Sequence, residues 1–339
     1  MIGSGLRVTA SASVLGDTDT AAEVDRCLGE KDRREQRLES VSIADAPAPV
    51  MGERAARLAW ARHPGRRDDA RVAHVLACST PTGPPLWSAA SWIAAQTIGA
   101  DRVAVAEQLS ALCSGGVAAL GTAARWLACE PEVDSCLVTA ADAIDPRVLD
   151  RWAFDGGVTL GDGAGAVVLA REGRGHSLLS VTTGADVGLE SAQRGAAQIG
   201  FEAARPMDPA RVRDRLREAV MDPENPLSVA AIVDRHQRLL VEVVDRALAE
   251  AGLERRDIVH WALPFVGAQA LEHGYLRPLG IDVEDTSASL GLTTGHLGGA
   301  DALVAVDRLE AGGRMAAGDP VALVGVGSGL SISCALLGW

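Results

Sequence analysis

The chain lacks the positive charge that phosphate binding requires. Thirty-two basic residues face forty-five acidic ones, a formal charge of -13 over 339 residues. Affinity built on counterion release needs the opposite balance, so a nucleic-acid partner is not expected. The first twenty residues lack the basic start and continuous apolar stretch of a secretory signal, which points to a cytoplasmic protein. Val321 to Trp339 carries no charge, yet Gly325, Gly327, Ser328 and Gly329 interrupt it. A buried β-hairpin is expected there, with no membrane span. The six cysteines form no CxxC pair and have no nearby His at zinc spacing, so neither a metal site nor a disulfide framework is expected. Cys78, Cys129, Cys136 and Cys334 lie in or beside apolar runs and are expected as inert core residues.

Hydrophobic residues make up 47% of the chain, enough for a large core and for two domains or half-domains. An internal repeat divides it. Cys113-Ser-Gly-Gly-Val-Ala-Ala-Leu120 aligns with His296-Leu-Gly-Gly-Ala-Asp-Ala-Leu303, and Arg125 and Arg308 keep the register. Each segment continues as a small-residue-rich helical stretch and then a β-rich run, Ser135 to Ala140 and Pro320 to Val326. Residues 1–172 and 173–339 are therefore expected as two related halves. Helices rich in Gly and Ala permit close backbone approach, so both are expected at the centre, with Cys113 and His296 at equivalent helix starts facing each other.

Glycine turns lead into two further strand patterns, Gly161 to Leu169 and Gly327 to Cys334. Leu227 to Leu253 has apolar residues at helical spacing and precedes a strand at Ile258 to Leu263. The stretch 186–226 is weakly periodic and is expected as a variable cap over a substrate entrance. The alternating Arg211, Arg213, Arg215 and Arg217 fit a solvated helix face.

Three segments together resemble the β-ketoacyl carrier-protein synthase III family. Ala111-Leu-Cys113-Ser-Gly-Gly is similar to its nucleophile segment, Leu160-Gly-Asp-Gly-Ala-Gly-Ala166 to its Gly-Asp-Gly-Ala-Gly strand start, and Gly327-Ser-Gly-Leu330 to its C-terminal glycine turn. The resemblance implies an α/β thiolase fold, two duplicated βαβαβαββ halves in a five-layered αβαβα body. It also implies a homodimer, with Trp87 and Trp92 in the matching region, and an acyl thioester on Cys113.

The chain departs from that family at two positions. Synthases of this kind carry a His within Pro-His-Gln-Ala-Asn and an Asn within Gly-Asn; here Phe265 and His296 stand at those places. Loss of one oxyanion donor costs about two to three powers of ten in rate, so decarboxylative condensation is expected to be poor. The pattern resembles a subgroup of ketosynthase III homologues that serve antibiotic biosynthesis as acyltransferases and combine Cys or Ser with His and Asp.

This likeness implies that Cys113 takes an acyl group from coenzyme A or an acyl carrier protein, with no permanently bound cofactor. The backbone N–H groups of Cys113 and Ser328 hold the oxyanion, His296 acts as base, Asp301 orients it and Phe265 lines the substrate pocket. A small-molecule hydroxyl, on a sugar or polyketide, then receives the acyl group as an ester. Five helical residues rotate by roughly 140°, so the His296–Asp301 pair requires His296 in the turn before the helix. Two other functions fit the residues: a starter-unit priming ketosynthase, and a catalytically silent partner subunit resembling chain-length factors. Structural roles also stay open, namely inert packing for Cys113, a satisfied core imidazole for His296 and a capping carboxylate for Asp301.

Overall fold

The computed structural model describes residues 5–80, 83–155, 157–195, 199, 212–223 and 227–339. Its strands are β1 (Arg7–Leu15), β2 (Val72–Ala77), β3 (Val103–Leu109), β4 (Ser135–Asp142), β5 (Gly163–Ala170), β6 (His176–Ala185), β7 (His260–Ala262), β8 (Pro320–Gly327) and β9 (Ser331–Gly338). They form one sheet in the order β3-β2-β4-β5-β1-β6-β9-β8-β7. The first strand of each run, β1 and β6, meets the other antiparallel at Arg7↔Ser177. From that seam the order repeats outward, β1-β5-β4-β2 on one side and β6-β9-β8-β7 on the other. The place of β3 in the second run is reduced to a single parallel bridge, Trp261↔Thr286, because the chain passes there in a tight turn, Val283–Asp285.

Every residue of β2, β4 and β5 is buried, which their nearly continuous apolar runs allow only if both sheet faces are covered. Four helices provide most of that cover: α1 (Ala48–Arg62), α2 (Gly115–Cys129), α3 (Val229–Ala251) and α4 (Asp301–Gly312). The Gly- and Ala-rich α2 touches β2, β4, β8 and β9, while α4 touches β1, β5, β7 and β8. Both lie between the two runs of strands. On the outside, α1 covers β1, β4 and β5, and α3 covers β6 and β9. The result is the αβαβα layering of the thiolase fold. Ser228 begins α3 by accepting a hydrogen bond from the Ala231 N–H at 3.1 Å, and Gly252 ends it with a positive φ of 70°.

β8 and β9 make the C-terminal antiparallel hairpin. The alternation read as one strand from Gly327 to Cys334 is instead a strand end, a turn at 328–330 and the start of β9. Cys78, Cys136 and Cys334 are buried, and burial pushes the Cys78 and Cys334 thiols up to about 12. Cys129 differs from the expectation: as the last residue of α2 it is exposed, like Cys27. Within 186–226, residues 196–198, 200–211 and 224–226, Arg211 included, lie outside the described residues. Arg213 pairs with Asp32 at 3.3 Å. Among the described residues, no helix is long and apolar enough to cross a membrane.

Candidate active site

Cys113 sits in a 3-10 turn, Leu112–Ser114, at the start of α2, behind a left-handed Leu112 with φ 49°. A left-handed Leu is costly and persists only where packing dictates it. Here the β8–β9 hairpin presses on the turn. Ser114 Oγ donates to the Ala111 carbonyl at 2.8 Å and is hydrogen-bonded to Ser331 Oγ at 2.8 Å. A side chain on Gly327 would meet the Ala111 carbonyl oxygen.

The two Gly-Gly pairs of the repeat touch. A Cβ on Gly116 would overlap the Gly299 carbonyl oxygen, so only glycine lets the two central helix starts come this close. Buried Asp142 ties the same region together, accepting from the Ser79, Thr80 and Gly299 N–H groups at 2.7, 2.9 and 3.1 Å. His296 is sewn to the first half by its backbone, donating to the Thr159 carbonyl and accepting from the Gly161 N–H, each at 2.9 Å.

His296 precedes α4 and follows Gly295, whose φ is 69°, so the helical rotation that would separate it from Asp301 does not apply. Its Nδ1 lies 2.6 Å from Asp301 Oδ2. Asp301 also accepts from the Leu297 N–H at 2.7 Å and the Phe265 N–H at 2.8 Å. Cys113 lines the same cavity as His296, and its sulfur acts on the imidazole strongly enough to raise its proton affinity. Burial pulls the His296 proton affinity down, but the Asp301 carboxylate and the Cys113 sulfur outweigh it and hold the imidazole well above 6.5.

Cys113 and His296 line one cavity of about 230 Å³. Phe154, Val158, Leu189 and Ile232 form apolar walls, and Ser328 and Gly329 of the β8–β9 turn line it as well. Leu189, Ala192, Val212 and Leu216, from the described part of 186–226, also line it. Phe265 is displaced from its expected place: Pro264 and Val266 line the cavity, whereas the Phe265 side chain is 2% exposed and packed in the central core. The reason is its backbone, whose N–H is held by Asp301. Four polar lining residues, Asp155, Gln193, His236 and Tyr275, belong to no motif. The only available signal was that Tyr275 is the single tyrosine of the chain. Asp162, within the Gly-Asp-Gly segment, is structural: it accepts from the Ala44 and Ile144 N–H groups and pairs with Arg151 at 3.0 Å. Among the described residues, no group of three or more His, Cys, Asp or Glu side chains could hold a metal ion.

Residues 108–187 match the family model 3-Oxoacyl-[acyl-carrier-protein (ACP)] synthase III, and 248–339 match the model of its C-terminal part. The β-ketoacyl-[acyl-carrier-protein] synthase III of Syntrophomonas wolfei subsp. wolfei is 28% identical over 271 residues, 80% of this chain and 77% of that protein. Among solved structures, ChlB3, described as an acyltransferase, has a TM-score of 0.88 at 30% identity, covering 98% of this chain and 97% of its own. The synthase III of Aquifex aeolicus VF5 shares the fold, with a TM-score of 0.78 at 20% identity over 98% of this chain and 100% of that one. On the matched segments, the fold and these relatives, the chain belongs to the 3-oxoacyl-[acyl-carrier-protein] synthase III family of enzymes.

Proposed function

We propose that this family member is an acyltransferase that carries a short acyl group on Cys113 and passes it to a hydroxyl acceptor without loss of carbon dioxide. The observation that carries the reading is the 2.6 Å contact between His296 Nδ1 and Asp301, in a cavity that His296 shares with Cys113. Residues 1–172 supply the thiol and 173–339 the imidazole.

In the first step the Cys113 sulfur attacks a donor thioester, and the oxyanion is held by the backbone N–H groups of Cys113 and Ser328. The donor sulfur leaves with the imidazole proton. Acylation also caps the Cys113 sulfur that helped His296 keep that proton, so the imidazole becomes a base at the stage that needs one. The acceptor hydroxyl then gives its proton to Nε2 while its oxygen attacks the acyl carbon. The Cys113 sulfur departs and again faces a protonated imidazole. Arg34, Arg37 and Arg277 border a further cavity of about 560 Å³ that shares Val266 with the active site, which suits a phosphate-bearing donor such as coenzyme A or a carrier protein. The enzyme works as a homodimer in this reading, in secondary metabolism and on a sugar or polyketide hydroxyl.

The test is to mix the protein with malonyl- or acetyl-coenzyme A, read the Cys113 adduct by intact mass, then add hydroxyl acceptors and follow ester and carbon dioxide. Adduct and ester without carbon dioxide support the reading. The synthase family match favours one rival, a priming ketosynthase, which would release carbon dioxide and form a carbon–carbon bond with a malonyl carrier. A chain that never loads would be the silent-partner alternative.

A further inference from the structure

The cavity has a polar side that the transfer mechanism leaves unused. His236, on α3, and Tyr275 meet edge to face with ring centroids 5.6 Å apart, and both line the space that Cys113 and His296 share. Tyr275 belongs to a π-helical turn, Glu272–Leu276, within the helical stretch that runs on to Leu279. Such turns recur at functional sites because they re-aim a side chain at the cost of regular bonding. Pro278 cannot donate to the Gly274 carbonyl, which loosens the helix at this point. Gly274 lies against the His236 ring: a Cβ there would sit 3.7 Å from His236 Cε1, at ordinary contact distance.

Among the described residues, His236 Nε2 is buried and has no hydrogen-bond partner. Buried polar atoms are nearly always paired, so an orphan beside a substrate cavity points to a partner that arrives with the substrate. Burial lowers the His236 affinity for a proton. Burial, with the nearby charges of Cys113, Asp301 and Asp155, raises the Tyr275 phenol. Both groups are neutral near pH 7, so the phenol offers a donor and the imidazole one donor and one acceptor. The neighbouring walls, Val158, Leu189, Leu216 and Ile232, are apolar and would suffice for a plain alkyl chain.

We infer that His236 and Tyr275 bind an oxygen-bearing substituent on the acyl group held by Cys113, so that the donors are short hydroxy-, keto- or carboxyacyl thioesters in preference to saturated ones. The inference rests on the acyl-Cys113 reading given above. The volume of about 230 Å³ lies below the range of about 300–1,000 Å³ typical of drug-sized ligands, which suits a compact acyl group. A site that spends buried hydrogen bonds on a substrate group discriminates strongly against the analogue lacking it, because its own polar atoms are then left unpaired.

The experiment compares single-turnover loading of Cys113 by butyryl-, 3-hydroxybutyryl- and malonyl-coenzyme A, read by intact mass. The two oxygenated donors separate a neutral oxygen from a carboxylate. The expected result is that at least one of them loads about ten- to a hundred-fold faster than butyryl. Tyr275→Phe and His236→Leu, each checked for a cooperative thermal transition, are expected to bring that ratio to within about threefold of one. If one variant does not fold, the other still reports the ratio. Equal loading of all three donors by the unaltered protein, or a ratio unchanged in the folded variants, overturns this inference while acyl-Cys113 stands. Failure of every donor to load overturns the acyl-Cys113 reading and this inference with it.

Discussion

Replacing Asp301 by Asn tests the proposed relay most directly, because the carboxylate has three hydrogen-bond donors and the amide cannot serve them all. Asp301 Oδ2 receives His296 Nδ1 and the Phe265 N–H, and Oδ1 receives the Leu297 N–H. With its oxygen at the Oδ2 place, the amide turns its NH2 towards the Leu297 N–H. Turned over, it faces the Phe265 N–H and forces His296 to accept at Nδ1, which puts the ring proton on Nε2. Either way a buried backbone donor loses its partner, at a cost of about 1–3 kcal/mol in stability. The second arrangement also leaves Nε2 unable to take the acceptor's proton. Transfer from acyl-Cys113 is expected to slow at least about tenfold from loss of a charge-assisted hydrogen bond. The loss reaches about 10⁴-fold if the wrong tautomer dominates.

Removing the carboxylate also lowers the His296 proton affinity, so the rise of transfer rate with pH is expected to move to lower pH. The assay forms acyl-Cys113 first, adds the acceptor and measures ester against pH, with thermal unfolding in parallel. A variant that is destabilised yet transfers within about threefold of the original, with an unmoved pH midpoint, would refute the relay and leave Asp301 as a cap for Leu297 and Phe265.

His296 also couples folding to pH. Its folded-state value lies well above 6.5, so its contribution to stability is complete below pH 6.5 and lost as pH rises through the folded value. The stability difference between the original protein and His296→Gln, followed by thermal unfolding upward from pH 6.5, is expected to shrink; a constant difference would mean that the imidazole does not carry the coupled charge. Phe265→His restores the synthase residue type at a buried core position that does not line the cavity. It is expected to cost about 1–3 kcal/mol of stability and to release no carbon dioxide from malonyl thioesters. Decarboxylation by that variant would place the side chain in the active site.

The sequence by itself was enough for the duplicated pattern and to single out Cys113 among six cysteines as the candidate nucleophile, since glycine pairs, periodicity and turn residues are local and survive in one dimension. It was also enough to require His296 outside the helix if Asp301 was to reach it. The direction of Phe265 was not local: its neighbours fit the motif, but Asp301, far along the chain, captures its N–H and the ring packs into the core. Cys129 was misplaced for a similar reason, because an apolar run does not say where a helix emerges from the protein. The reduced counterpart of β3 in the second run depended on how the chain turns near Thr286, and the Gly116–Gly299 contact on the meeting of both halves. His236 and Tyr275 carry no motif and become neighbours only when α3 packs beside a π-helical turn. Secondary structure followed from the order of residues, whereas the shape and polarity of the cavity came from side chains of distant segments that only close packing brings together.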